Sequence, residues 1–226
     1  SSSAKKKAPA KKDAPKNTKA SNRVFITFEG GDGAGKSTHV ELLAEYLRES
    51  GREVVTTREP GGTELGRSIR ELILHGGDVS PKAEALLYAA DRAHHIATVV
   101  RPALARGAVV VADRYLDSSV AYQGVARDLG PEEVRQLNVW ATDGLMPDRT
   151  ILLDVPLEVG SARVGTTQDR IEAAGREFHE AVRGEFLQLA SEDPARWRIV
   201  DASSDVDSVA GAVQAAVADL FDGEHP

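Results

Sequence analysis

The 226-residue chain contains no cysteine, which excludes disulfides, thiolate metal sites and cysteine nucleophiles and suits a reducing compartment such as the cytoplasm. Long apolar runs are also missing. Stretches such as Ala108–Ala112 fall far short of the roughly 20 residues that a membrane helix requires, so a soluble protein is expected. Lys5, Lys6 and Lys7 are followed by no hydrophobic segment, so no secretory signal is expected. There is no internal repeat, and His39, His75, His94, His95 and His179 form no regular metal-binding pattern, so zinc is not expected. What is present is enough for one globular domain: 41% hydrophobic residues allow a substantial core without covalent staples.

Charge is distributed unevenly. Residues 1–22 hold seven lysines and one acid, Asp13, a net +6, whereas the whole chain carries −7 and the remainder therefore −13. The basic segment is rich in Lys, Ala, Pro and Ser and cannot bury enough surface to offset ordering, so it is expected to be disordered. Two readings stay open for it: a solvated extension, or a tether making weak contact with polyanions such as nucleic acid. The acidic body, residues 23–226, would repel a nucleic-acid backbone.

Along that body, strands are expected over Val24–Glu29, Glu53–Thr57, Ala108–Ala112, Thr150–Val155 and Arg198–Asp201, from β-branched and apolar content between breakers. Between them fall helical patterns: Ser37 to about Ser50, Glu64–His75, a long helix capped by Ser80-Pro81 and closing near Gly107, Pro131–Trp140, one marked by Phe178, Val182, Phe186 and Leu189, and Val206–Leu220. Pro60-Gly61-Gly62 reads as a turn. Alternation of this kind implies an α/β fold with a parallel five-stranded sheet and helices on both faces. Ligands then bind beyond the carboxyl ends of the strands, where Gly30, Arg58 and Asp113 fall.

Gly30-Gly31-Asp32-Gly33-Ala34-Gly35-Lys36-Ser37 satisfies the phosphate-loop pattern in its confirming context, after a strand and before a helix. Its glycines let successive N–H groups face phosphate oxygens at the positive end of the helix. Lys36 is expected to reach the β- and γ-phosphates, and Ser37, followed by Thr38, to offer a hydroxyl to Mg²⁺. Asp113, at the end of a buried strand, is placed to meet the same metal directly or through water. Arg58, Arg92 and Arg114 come from separate elements and so can surround an acceptor phosphate with bidentate bonds.

Six segments in order and spacing resemble the thymidylate kinases: Phe28-Glu29-Gly30 with Asp32–Thr38, Arg58–Thr63, Ala89-Ala90-Asp91-Arg92, Asp113-Arg114-Tyr115, Ala121-Tyr122-Gln123 and Asp169-Arg170-Ile171-Glu172. The resemblance implies a P-loop kinase fold with a short lid at about 163–175. It also implies transfer of the ATP γ-phosphoryl to dTMP, giving dTDP for dTTP biosynthesis, and a homodimer. By the same resemblance, Tyr88 stacks on thymine and Arg92 meets its carbonyl edge, with Tyr88 standing where the family often has Phe. Tyr122 and Gln123 match the segment that contacts the acceptor, where the tyrosine lies near the sugar. Ser118 and Ser119 either bond the base or serve as turn or cap residues. Asp32 resembles the carboxylate that positions the acceptor phosphate and its metal, and Glu59 either bonds loop backbone or holds metal-bound water.

Gly33 stands where some of these kinases carry an arginine, which directs attention to the lid. There Arg170, inside the matching Asp169–Glu172 segment, is the first candidate for a catalytic arginine beside Lys36, Arg114 and Asp32. Arg163 follows, since it sits at a helix end and also suits a purely dipolar role, and Arg176 comes third. Two rivals remain at this point: a kinase for another nucleoside monophosphate or a deoxynucleoside, and a non-catalytic nucleotide-binding protein that works through its lysine-rich segment.

Overall fold

Five β-branched segments line up side by side in a computed structural model that describes residues 23–165 and 167–221. The basic segment 1–22, lid residue Thr166 and residues 222–226 lie outside the described residues. The strands are β1 (Val24–Glu29), β2 (Val54–Arg58), β3 (Val109–Asp113), β4 (Arg149–Asp154) and β5 (Trp197–Asp201). All pair in parallel, in the order β2-β3-β1-β4-β5. The expected strands are all there, with ends displaced by a residue where the ladder continues beyond the apolar run.

Helices cover both faces. On one, α1 (Lys36–Glu49) and α9 (Val206–Val217) bury Val40, Leu43, Leu47, Val209 and Val213 against Ile26, Phe28, Val109 and Val111. The alternate β3 residues, Val110 and Ala112, face the other layer with Phe25, Ile96, Val100 and Leu104. Both sides of β3 are thus apolar, the reason its sequence reads as an uninterrupted Val/Ala run. Further along this second layer, α2 (Glu64–His75) and α8 (Arg176–Glu192) bring Ile69, Ile73, Val182, Phe186 and Leu189 together around Leu152.

The expected long helix from Pro81 is present but not uniform. It runs as α3 (Pro81–His95), widens to a π segment over Ile96–Val100, and ends as α4 (Arg101–Ala105). In the widened stretch Arg101 N donates to Ile96 O, five residues back, and the following Pro102 has no amide with which to continue the usual ladder. A second helical stretch went unforeseen: α5 (Leu116–Ser119) runs into a π segment over Val120–Ala126. Ser118 and Ser119 are therefore inside a helix, not at a turn or cap. Remaining helices are α6 (Pro131–Ala141) and α7 (Leu157–Arg163), the latter opening the lid.

Candidate functional site

β1 ends at Glu29 and the chain turns sharply through Gly30 (φ 140°), Gly33 (φ 75°) and Gly35 (φ 87°) into α1. These are backbone shapes that residues with a side chain rarely adopt. The loop closes around its own lysine: Lys36 Nζ donates to Gly30 O at 3.0 Å and Gly31 O at 2.9 Å. Burial, helped by nearby Arg114, pushes the Lys36 ammonium down to about 8. Ser37 Oγ donates to Asp113 Oδ2 at 2.8 Å, which brings together the two oxygen ligands expected for a metal. A groove of about 330 Å³ opens here, lined by Lys36, Ser37, Thr38, Arg58, Asp113 and Arg114.

Arg114 is the centre of the arrangement. It holds a left-handed backbone with φ 71°, costly for a residue with a side chain, and its amide donates to Phe28 O at 2.9 Å. Its guanidinium then donates to Gly30 O at 3.1 Å, Ser118 Oγ at 3.1 Å, Asp32 Oδ1 at 3.0 Å and Tyr122 Oη at 3.2 Å. Burial alone would raise the Asp32 carboxyl, but Arg114 and Lys36 hold it below its ordinary value. Asp32 Oδ2 is buried without a hydrogen-bond partner, an acceptor left over at the junction of loop and groove.

Beside the groove lies a smaller cavity, about 80 Å³, lined by Tyr88, Arg92, Arg114, Ser118, Ser119, Tyr122 and Gln123. The acceptor residues named from sequence thus converge, with one exception: Arg58 lies exposed in the groove and does not line this cavity. Pro60, Arg70 and Leu74 also border it, and Arg70, bonded to Pro60 O at 3.2 Å, lines the groove as well. Arg70 went unnoticed because it sits in an amphipathic helix like any solvated cation. A volume this small is below that of usual ligand pockets, and the lid residues Asp169, Ile171 and Glu172 border it.

Buried charge networks hold the walls. Arg92 is 1% exposed; it donates to Glu59 Oε2 at 2.6 Å, Ser119 Oγ at 2.9 Å and Tyr115 O at 3.1 Å, and also to Asn138 Oδ1. Glu59 is held by side chains, Arg92 and His95, rather than bonding loop backbone as expected. His95 pairs with that carboxylate at 2.8 Å and is hydrogen-bonded to Thr57 Oγ1 as well. Ser119 accepts from Arg92, and Gln123 donates to the buried Glu84 at 2.8 Å.

The lid arginines are separated in space. Arg170 is not at the phosphate loop: it donates to Ile73 O at 2.9 Å and pairs with Glu84, which also takes bonds from Gln123 and Arg127. A short sequence motif gives no sign that a fully buried acid stands opposite. Arg163 donates to Gly33 O at 3.4 Å and Ala202 O at 2.9 Å, beside the loop. Arg176 is exposed and paired with Glu158 and Glu180.

Glu29, quoted from sequence only as part of a motif, accepts from Tyr115 N at 2.9 Å, Ser118 N at 3.2 Å and Ser118 Oγ at 2.5 Å. It ties the end of β1 to the segment that carries Arg114. Burial, reinforced by Asp117, pushes its carboxyl from 4.5 up to about 7 despite these bonds. A raised folded value means that the folded chain binds the proton more tightly. Glu29 therefore contributes stability that is fully present below pH 4.5 and lost as pH rises through about 7, an amount on the order of 3 kcal/mol. Melting temperature followed from pH 4 to 8 is expected to show a decline that Glu29→Gln removes; an identical slope in both proteins would count against it.

A sequence model described as thymidylate kinase matches residues 28–213. The thymidylate kinase of Leifsonia xyli subsp. xyli is 59% identical over 195 residues, covering 84% of this chain and 92% of that protein. That of Bifidobacterium longum is 52% identical over 204 residues, covering 88% and 99% respectively. Among solved structures, the thymidylate kinase of Ehrlichia chaffeensis superposes with a TM-score of 0.71 at 34% identity, covering 86% of this chain and 98% of its own.

Proposed function

The chain belongs to the thymidylate kinase family, and on that footing we propose that it transfers the γ-phosphoryl of ATP to dTMP, giving dTDP and ADP for dTTP biosynthesis. One observation carries the reading: Asp32 and Arg114 line both the phosphate groove and the aromatic-walled cavity. A donor phosphate chain in the first and an acceptor phosphate from the second meet at one guanidinium.

In this reading ATP phosphates lie against the loop amides, with Lys36 and Arg114 facing oxygens that gain charge as the phosphoryl group passes in line to the acceptor. Asp32 keeps Arg114 turned toward that point. Tyr88, Arg92, Ser119 and Gln123 hold the base, and Tyr122, fixed through Arg114, sits at the sugar. The Ser37 hydroxyl and Asp113 carboxylate, 2.8 Å apart, are hard oxygen donors of the kind Mg²⁺ takes, and the orphaned Asp32 Oδ2 suits a metal-bound water. When bound, Mg²⁺ neutralises charge on the phosphate oxygens.

The proposal includes a homodimer and a cytoplasmic location. Leu86 on α3 and Val139 and Trp140 on α6 are exposed, and these two helices pack against each other. No described helix is long and apolar enough to cross a membrane. Segment 1–22 precedes the residues matched by the family, and we assign it no part in the transfer.

Acceptor choice tests the function. With ATP and Mg²⁺, ADP release is expected with dTMP at a kcat/KM well above that for dGMP or dAMP, whose larger bases the narrow cavity between Tyr88 and Tyr122 resists, and above that for dUMP or dCMP through the base contacts assigned to Arg92 and Gln123. A purine acceptor that matches dTMP would overturn the assignment.

A further inference from the structure

We propose that Gly160 of α7 is a positioning residue for phosphoryl transfer, seating the stem of the lid on the phosphate loop through direct backbone contact with Asp32 and Gly33. A Cβ on Gly33 would fall 2.1 Å from Gly160 O and 2.8 Å from its carbonyl carbon, and one on Gly160 would fall 2.7 Å from Asp32 O. Cβ atoms do not come that close to backbone, so each glycine lacks a side chain because the other main chain fills the space. The same contact explains why Gly33 cannot be replaced by a larger loop residue while α7 stays where it is.

The atoms on the loop side are committed to the chemistry. Asp32 Oδ1 holds Arg114 Nη2 at 3.0 Å, and Arg114 also holds Gly30 O, so displacing the Asp32 backbone displaces carboxylate and guanidinium together. The last turn of α7 bears on the loop again through Arg163 and Gly33 O. Toward α8, by contrast, α7 borders a cavity of about 420 Å³ reaching Val182, Arg183 and Phe186. On that side α7 is tied to α8 by the exposed Glu158–Arg176 pair, and Val159 packs on the core, whereas at the loop itself it is the glycine contact that sets backbone against backbone. Gly160 touches neither substrate in this scheme and acts through Asp32.

The kinetic arm of the test rests on the dTMP kinase reading, which activity of the unaltered protein checks first. Gly160→Ala is compared with Gly184→Ala, an exposed α8 position where an added Cβ meets nothing within 4 Å. A displacement of about 1 Å at a reaction centre can cost about 10²-fold. Gly160→Ala is therefore expected to lower kcat at least about 10-fold while KM for ATP and dTMP changes less than about 3-fold, with the melting temperature kept and Gly184→Ala unchanged. An unaltered kcat, or a loss confined to KM, overturns the proposal.

Hydrogen exchange on the full chain gives an arm independent of turnover and of whether Gly160→Ala folds. Inorganic tripolyphosphate bound in the loop is expected to slow exchange of the α7 amides at 159–163. Protection that stops at the loop overturns the proposal.

Discussion

Lys36→Ala is expected to lower kcat on the order of 10²–10³-fold with the fold intact. The ammonium lies between Gly30 O and Gly31 O at 3.0 and 2.9 Å, inside the curve of amides where a phosphate chain would run. Its charge is already poised there, so little reorganisation is needed as the γ-phosphoryl oxygens become more negative, which is where such preorganised groups act most strongly. The substitution also removes a donor from two carbonyls, but water can reach a loop bordering an open groove, so the stability loss should stay within about 1–3 kcal/mol. Steady-state kinetics and a melting curve on the same preparation separate the two effects. Retained turnover would show that the loop amides and Arg114 suffice, and a collapsed melting transition would make Lys36 a structural residue first.

The second large effect concerns the lid, where sequence and structure rank the arginines differently. Arg170 stands in the matching motif, yet it is engaged with Glu84, a carboxylate at 0% exposure, and with Ile73 O. Reaching the γ-phosphoryl would mean leaving a buried acid with fewer partners, a cost of about 1–3 kcal/mol. Among the described residues Arg163 is bonded to backbone carbonyls, Gly33 O among them, and can leave them by a change of rotamer. Arg163→Ala is therefore expected to cost on the order of 10³-fold in kcat, the magnitude associated with a transferred arginine, at little cost in melting temperature. Arg170→Ala is expected to lower stability instead, with Glu84 left to Gln123 and Arg127. Saturating kinetics on both variants decide it. A severe kcat loss confined to Arg170→Ala would restore the first candidate, and mild losses in both would leave the task to Lys36, Arg114 and the metal.

The layered α/β architecture and the phosphate loop were legible in the sequence because each rests on local pattern: Val109-Val110-Val111-Ala112 can only be a doubly covered strand, and the spacing from Gly30 to Ser37 admits few other conformations. The residues of the acceptor cavity came from short motifs whose members converge in space. What stayed hidden depends on partners distant in sequence. The sequence assigns residues 116–126 no element and leaves Ser118 and Ser119 between base contacts and turn or cap residues, whereas Arg92 and Glu29 bond the two serines from other elements. Glu84 is not singled out from sequence, and the approach of Gln123, Arg127 and Arg170 makes its burial tolerable. Glu29 gave no sign of its link to the Arg114 segment, since the two lie 85 positions apart.

Pairing across the sheet sets Phe28, Asp113 and Arg58 on a single rung, β1 against β3 against β2. Side chains alternate between layers along a strand, so a one-residue insertion or deletion within Val109–Asp113 would turn the Asp113 carboxylate away from Ser37 to the opposite layer. The loop from Gly30 to Lys36, continuous with β1, would keep its backbone course, while Arg114, shifted together with Asp113, would leave Gly30 O and Asp32. Length changes in exposed connections such as 76–78 move no residue of that rung. A library of single-residue insertions should therefore be tolerated in those connections and be lethal to activity inside β3, even where the inserted residue is valine and the strand remains apolar throughout.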